Sequence, residues 1–158
     1  MFSEPARGDA SFMEQALALA RQAGELGEIP VGAVAVRDGL IVGRGYNRRE
    51  ADKDPLAHAE LIALRQAAAN LEAWRLASVV LYVTLEPCAM CAGAMVQARI
   101  TRLVYGADDP KAGAVGSLYN LAEDPRHNHR VVITRGVLAD ESRQLLVDFF
   151  RGLRVKEG

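Results

Sequence analysis

Four residues in this sequence have the types and the spacing of a metal site with an adjacent proton carrier. His58 lies two residues before Glu60, and Cys88 lies three residues before Cys91. One imidazole and two thiolates suit zinc, and they leave the fourth position of a tetrahedral site open, as catalytic zinc sites do. The sequence therefore predicts one Zn²⁺ per subunit, bound by His58, Cys88 and Cys91 in a catalytic site.

The chemistry expected at such a site is hydrolysis. Zinc lowers the pKa of a bound water from about 15.7 to about 7, so that hydroxide becomes available to attack an aromatic carbon. Glu60 is close enough in sequence to take the water's proton, pass it to a ring nitrogen and protonate the leaving amine. We therefore expect Glu60 to be the catalytic acid and base.

Each of these residues also has an ordinary structural interpretation. The cysteines can be a redox pair or two buried thiols, His58 can be a residue near a helix start, and Glu60 can stabilise a helix's first turn. With Pro87, however, the residues complete the H-x-E and P-C-x-x-C pattern of zinc-dependent deaminases. The combination favours deaminase chemistry over the separate structural roles.

Alternating helices and strands are predicted around these residues. A capping box from Ser11 to Glu14 begins the first helix, and Gly27 ends it. The Asp38-Gly39 pair predicts a two-residue hairpin between two strands rich in Val and Ile. The periodicity predicts helices over 11–26, 57–70, 88–99 and 139–154, and strands over 31–37, 40–47, 79–84, 102–107 and 130–134.

The predicted elements bring the metal ligands to helix starts. Pro87 suits the first position of a helix, so both cysteines lie where unpaired amides and the helix dipole favour thiolate. The strands that flank this helix should be parallel neighbours joined by a right-handed crossover. The connection over 108–129 is long enough to indicate function or disorder, and we expect a short helical turn over 116–121.

Size and composition fit one compact domain. The chain has 158 residues, of which 50% are hydrophobic and 25% charged, and its net charge is −1, so any basic surface must be local. The first ten residues have no apolar run, and the longest uncharged stretch, 87–98, is far shorter than the roughly 20 residues of a membrane span. We expect one domain over 1–158, with its core over about 11–154, in the cytoplasm and without membrane contact.

The chain resembles the bacterial tRNA-specific adenosine deaminases from about Ser11 to Arg154. The motifs around His58 and Cys88 occur in all zinc deaminases of the superfamily, whereas the later motifs point to tRNA. The matching stretches are Asn47, His58–Glu60, Thr84–Gly93, Tyr105–Lys111, Gly116–Leu118, Asn128–Arg130 and Asp148–Arg151.

The resemblance implies a fold, a substrate and an assembly. The fold is the cytidine deaminase-like α/β class, a three-layer α/β/α sandwich around a five-stranded mixed sheet, which agrees with the predicted element order. The implied reaction converts the wobble adenosine of an arginine tRNA anticodon to inosine. The implied assembly is a homodimer.

The resemblance also implies substrate-binding residues, several of which have structural alternatives. Asn47 would recognise the purine edge, although an Asn that ends a strand is common. Val31 and the main-chain amide of Ala59 would complete the base pocket. The remaining candidates would hold a splayed anticodon loop or its phosphates, although turn chemistry, core packing or solvated surface explain such residues equally well; they are Arg49, Asp108, Asp109, Lys111, Asn128, Phe149, Phe150 and Arg154.

Two other functions use the same zinc site. A deaminase of free guanine, cytosine or a nucleotide would lack the motifs over 108–111 and 128–130. A noncatalytic, zinc-stabilised RNA-binding subunit would lack the proton carrier, and Glu60 is present here. His127 and His129 are expected to be loop residues, because the three-ligand set is complete without them.

Overall fold

The polypeptide forms four helices and five strands in a computed structural model that describes residues 4–157. In chain order they are α1 (Asp9–Glu25), β1 (Gly32–Arg37), β2 (Leu40–Tyr46), α2 (Ala59–Leu71), β3 (Val79–Leu85), α3 (Ala89–Ala98), β4 (Arg102–Ala107), β5 (Val132–Arg135) and α4 (Ala139–Glu157). No helix within the described residues is both long and apolar enough to cross a membrane.

The five strands form one mixed sheet in the order β2-β1-β3-β4-β5. The strand β1 is antiparallel to both of its neighbours, and β3, β4 and β5 are parallel to one another. The predicted five-stranded mixed sheet and the predicted parallel pairing of β3 with β4 are therefore confirmed.

Helices cover both faces of the sheet and create two cores. On one face, side chains of α2 and α3 such as Ala63 and Met95 pack with Leu81 and Leu103. On the other face, Met13 of α1 packs with a second set of strand side chains, Val34, Val36, Tyr82 and Val104. Because neighbouring strand residues face opposite sides, the central strands are apolar on both sides. The three-layer α/β/α sandwich is confirmed.

The turn between β1 and β2 has the conformation that its two residues favour. Asp38 has φ 51° and Gly39 has φ 76°, so both occupy the left-handed region that a tight hairpin of the primed type requires. The two strands join directly at this turn, as the Asp-Gly pair predicts.

Two glycines of β2 allow α2 to lie against the sheet at backbone contact distance. A Cβ atom on Gly43 would be 2.2 Å from the carbonyl oxygen of Ala63, and one on Gly45 would be 2.3 Å from that of Ala59. This close approach fixes the height of the first turn of α2 above the sheet. That turn carries Glu60.

The helix starts differ from the sequence predictions. The helix α1 begins at Asp9, after Gly8, and not at Ser11, so the predicted capping box is not the helix start. Asp9 begins the helix because its carboxylate accepts a hydrogen bond from the Ala6 amide at 2.6 Å and binds partners on the sheet. Pro87 precedes the N-cap residue Cys88 and is not the first helical residue.

The long connection after β4 contains no helix. Val115 and Asn120 form an isolated antiparallel bridge where a short helical turn was predicted, so that prediction is wrong. The bridge forms because the amide of Gly116 donates to the carbonyl of Tyr119 at 2.7 Å. The connection is therefore a hydrogen-bonded loop.

Candidate active site

Two of the predicted metal ligands are the N-cap residues of their helices. His58 precedes α2 with φ −81° and ψ 149°, and Cys88 precedes α3 with φ −75° and ψ 177°. Neither side chain makes a capping hydrogen bond with its own helix. Both are turned toward the same point, where Cys91, from the first turn of α3, completes the group.

The separations of the three ligand atoms fit a zinc ion. Nδ1 of His58 lies 3.6 Å from Sγ of Cys88 and 3.5 Å from Sγ of Cys91. A tetrahedral ion with bonds of about 2.0–2.1 Å to nitrogen and about 2.3 Å to sulfur separates those atoms by about 3.6 Å. His58, Cys88 and Cys91 therefore form a group that fits a metal.

The two thiols are electrostatically unequal. Cys91 donates a hydrogen bond to Cys88, which lowers the pKa of Cys88 to about 3. The same bond, together with burial, raises the pKa of Cys91. A cation between the ligands opposes the second effect, because its charge stabilises a coordinated thiolate. The protein alone therefore favours the thiolate form of Cys88.

Glu60 lies beside the ligands and is shielded from water. Its side chain is 4% exposed. Burial raises the pKa of Glu60 to about 6. A carboxyl group with a pKa near neutrality can both accept and release a proton during one reaction cycle. The position and the environment of Glu60 thus suit proton transfer.

A pocket of about 280 Å³ opens above this group. Its wall combines apolar side chains with a few polar ones, as small-molecule sites do. The lining residues are Ile29, Val31, Asn47, Arg49, His58, Ala59, Glu60, Leu85, Glu86, Cys88, Asp109 and Ala112. The structure thus brings eight of the predicted site residues to one cavity, namely Val31, Asn47, Arg49, His58, Ala59, Glu60, Cys88 and Asp109.

The Asn47 amide is held by main-chain groups at both ends. Its Nδ2 donates to the carbonyl of Ile29 at 3.2 Å, and its Oδ1 accepts from the amide of Arg49 at 3.1 Å. Asn47 therefore has the structural role of an Asn that ends a strand, which was the alternative to purine recognition in the sequence analysis. These contacts also fix the orientation of the amide in the pocket wall.

The acidic pair after β4 takes part in turn hydrogen bonds. Asp108 accepts from the hydroxyl of Tyr105 at 2.9 Å. Asp109 accepts from the amides of Lys111 and Ala112 at 3.0 and 3.2 Å, which is an Asx turn. Of the predicted residues in this segment, Asp109 lines the pocket and Lys111 is exposed outside it.

The remaining predicted substrate contacts do not line the pocket. Asn128 and Arg154 are exposed. The rings of Phe149 and Phe150 meet edge to face at 5.4 Å, and Phe150 is 42% exposed. Neither ring belongs to the buried core, so the core-packing alternative is wrong for both residues. Both lie in the second half of α4.

The other two histidines lie outside the metal group. His127 is exposed, and Nε2 of His129 donates to the carbonyl of Ile100 at 2.6 Å. The only group of three or more potential ligands within the described residues is His58, Cys88 and Cys91.

Four pocket residues were not predicted from the sequence. Ile29, Leu85 and Ala112 contribute apolar side chains to the pocket wall. Glu86 is different, because it is a buried carboxylate, 2% exposed, at the end of an apolar strand. An acidic residue at the end of an otherwise buried strand was the available signal for it.

Comparison with known proteins gives a consistent result. The family described as MafB19-like deaminase matches residues 8–154. The tRNA-specific adenosine deaminase of Haemophilus influenzae is 52% identical over 147 residues, which cover 92% of this chain and 85% of the relative. The protein of the same name from Bacillus subtilis is 46% identical over 149 residues, with coverages of 94% and 92%.

A solved structure agrees with these sequence relatives. It comes from a study of A-to-I editing by tRNA:A34 deaminases at the wobble position of transfer RNA. Its TM-score is 0.83 at 47% identity, covering 86% of this chain and 99% of that chain. The chain therefore belongs to the MafB19-like deaminases and, among deaminases, to the family of the tRNA-specific adenosine deaminases.

Proposed function

We propose that this protein is a single-domain enzyme that hydrolyses adenosine to inosine at the wobble position of a tRNA anticodon. The observation that carries the proposal is the buried Glu60 carboxyl beside the group of His58, Cys88 and Cys91 at the base of one pocket. The names of the relatives support RNA as the substrate.

The donor set would hold one zinc ion. His58, Cys88 and Cys91 provide three ligands at separations that suit it. When bound, zinc supplies a Lewis acid that lowers the pKa of a water molecule. The two thiolates would balance the charge of the ion.

Glu60 would move the protons. Hydrolysis replaces the exocyclic amine at purine C6 with an oxygen from water and releases ammonia. Glu60 would accept a proton from the attacking water and donate it to the adjacent ring nitrogen. It would then take the proton of the hydroxyl formed at C6 and transfer it to the leaving amine, so that the carbonyl forms as the C6–N bond breaks. Its raised pKa, about 6, keeps both protonation states accessible near neutral pH.

The pocket wall would orient the base. Val31 and Ile29 form an apolar surface for the purine ring, and Asn47 offers its fixed amide to the purine edge. Two residues of the pocket lining, Arg49 and Asp109, and further residues outside the pocket would meet the flanking nucleotides and phosphates. We assign this role to Arg49, Asp108, Asp109, Lys111, Asn128, Phe149, Phe150 and Arg154.

We further propose that the enzyme is a cytoplasmic homodimer, as the family resemblance implies. Light scattering on the purified protein tests the assembly. A mass of one chain at assay concentration would exclude the dimer.

The deciding experiment uses an arginine tRNA with adenosine at the wobble position. Purified zinc-loaded protein should convert that adenosine alone to inosine, which sequencing detects as a change from A to G. Release of ammonia from free guanine or cytosine, without a change in the tRNA, would support a base deaminase. RNA binding without either reaction would support the noncatalytic subunit.

A further inference from the structure

The Glu86 carboxylate, part of the pocket lining, accepts hydrogen bonds from four donors. We propose that Glu86 is a positioning residue, which fixes the loop over 109–117, called here the wall loop, so that the pocket holds its base. The proposal rests on the proposed function for its kinetic part. Glu86 is not one of the three metal ligands, and its carboxylate accepts hydrogen bonds from the wall loop.

Among residues 4–157, every hydrogen bond that the structure gives the Glu86 carboxylate is to the wall loop. Oε1 accepts from the amide of Asp109 at 3.0 Å and from the hydroxyl of Ser117. Oε2 accepts from the amides of Val115 and Ser117 at 3.2 and 3.0 Å. Four donors saturate an ionised carboxylate, which is an acceptor only. The Glu86 carboxylate thus binds both ends of the wall loop, at Asp109 and at Ser117.

The middle of the wall loop is also held by core packing, because Ala114 and Val115 are fully buried. The loop is irregular, and its main-chain bonds include the amide of Ala114 to the carbonyl of Pro87 at 2.8 Å. Two of its residues, Asp109 and Ala112, line the pocket together with Glu86. Movement of the loop therefore changes the shape of the cavity directly.

Gly113 shows how closely the loop follows the carboxylate. A Cβ atom on Gly113 would be 2.2 Å from the carboxyl carbon of Glu86 and 2.3 Å from Oε2. Because four hydrogen bonds hold that carboxylate, it cannot turn aside cheaply. The position of the Glu86 carboxylate therefore requires a residue without a side chain at Gly113.

The first test is Glu86→Gln, which keeps the size and exchanges one acceptor oxygen for an amide donor. Whichever way the amide turns, two donors of the wall loop face an NH₂ group. We expect amide hydrogen exchange over 109–117 to become at least about tenfold faster, while bound zinc stays at one per chain. For an anticodon stem-loop, KM should rise about tenfold and kcat should change less. The reason is that a looser pocket weakens binding of the substrate and of the transition state to a similar extent.

The matched control is Tyr82→Phe, which removes a buried hydroxyl that donates to Asp9 on the opposite face of the sheet. It should leave exchange over 109–117 and KM unchanged. Unchanged exchange in Glu86→Gln, or exchange that is faster throughout the protein, would overturn the proposal. If the wild type does not act on the stem-loop, the exchange result alone decides the role of Glu86, and only the proposed function fails.

A double-mutant cycle tests the pairing of Gly113 with Glu86. Gly113→Ala should accelerate exchange over 109–117 in the wild-type background. In a Glu86→Ala background the added methyl group has room, so the same substitution should have a smaller effect. Equal effects in both backgrounds would show that Gly113 and Glu86 act independently and would contradict the proposed role of Glu86.

Discussion

Asp9 and Arg102 form a two-point ion pair between the start of α1 and the start of β4. Nη1 of Arg102 donates to Oδ1 at 3.0 Å, and Nη2 donates to Oδ2 at 2.5 Å. The hydroxyl of Tyr82 donates to Oδ1 at 2.8 Å, and Nε of Arg102 donates to Thr134 at 3.1 Å. One network therefore joins α1 to three strands of the sheet.

This network predicts a pH-dependent contribution to stability. Burial opposes ionisation of Asp9, but hydrogen bonds from Arg102, the Ala6 amide and Tyr82 outweigh it and lower the pKa of Asp9 below its usual 3.8. A carboxyl group with a lowered pKa stabilises the folded state above its unfolded pKa, and that stability is lost as pH falls through the folded pKa. Asp9→Asn should cost about 3 kcal/mol at pH 7.

Urea unfolding at pH 7 and at successively lower pH measures this effect. The difference between the wild type and Asp9→Asn should shrink below pH of about 4. Asp38→Asn, in the exposed hairpin turn, is the control and should have little effect at either pH. A difference for Asp9→Asn that stays constant with pH would argue against the ion pair as its source.

Loss of one metal ligand should remove the ion and destabilise the fold together. The group joins the starts of α2 and α3, so metal binding links two helices. His58→Ala should contain little zinc by elemental analysis and should melt about 5 °C or more below the wild type. His127→Ala, at an exposed position, should retain full zinc and the wild-type melting temperature.

Removal of the proton carrier should separate chemistry from metal binding. Glu60→Gln keeps the shape of the side chain and should retain one zinc per chain, but its kcat should fall about 10²- to 10⁴-fold. The exposed Glu141→Gln in α4 controls for the loss of a charge. A loss of less than about tenfold in Glu60→Gln would exclude Glu60 as the principal acid and base.

Two glycine substitutions should change stability in opposite directions. Gly45→Ala places a methyl group 2.3 Å from the carbonyl oxygen of Ala59, so it should cost about 1–3 kcal/mol through overpacking. Gly152→Ala lies inside α4 with no atom near the added methyl group, so it should stabilise by about 0.5–1 kcal/mol. Thermal unfolding of both variants measures the contrast, and destabilisation by Gly152→Ala would contradict it.

The sheet and the metal group were predictable because their signals are local. Strands such as β4, over Arg102–Ala107, have a buried apolar pattern and end where predicted. The four residues His58, Glu60, Cys88 and Cys91 follow a fixed spacing that few other functions require. The Asp38-Gly39 turn likewise depends only on the φ preferences of its own residues.

The structure differs from the sequence predictions where contacts between residues distant in sequence override local conformational preference. The start of α1 at Asp9 depends on Arg102, which is 93 residues away in sequence. The local capping rule does not include this contact, so it predicted a helix start at Ser11. The wall loop depends on Glu86, 23 to 31 residues before its donors. Four of the hydrogen bonds of this loop go to one distant carboxylate, which no local turn preference reveals.

The hairpin turn at Asp38-Gly39 makes a convenient attachment point. It lies at the far end of β1 from Val31, about 20 Å from the pocket for a strand of this length. Both residues are exposed, and a Cβ atom on Gly39 would meet no atom within 4 Å. A fluorophore or a fused domain inserted there would project away from the cavity, so binding and turnover could be followed without blocking access to it.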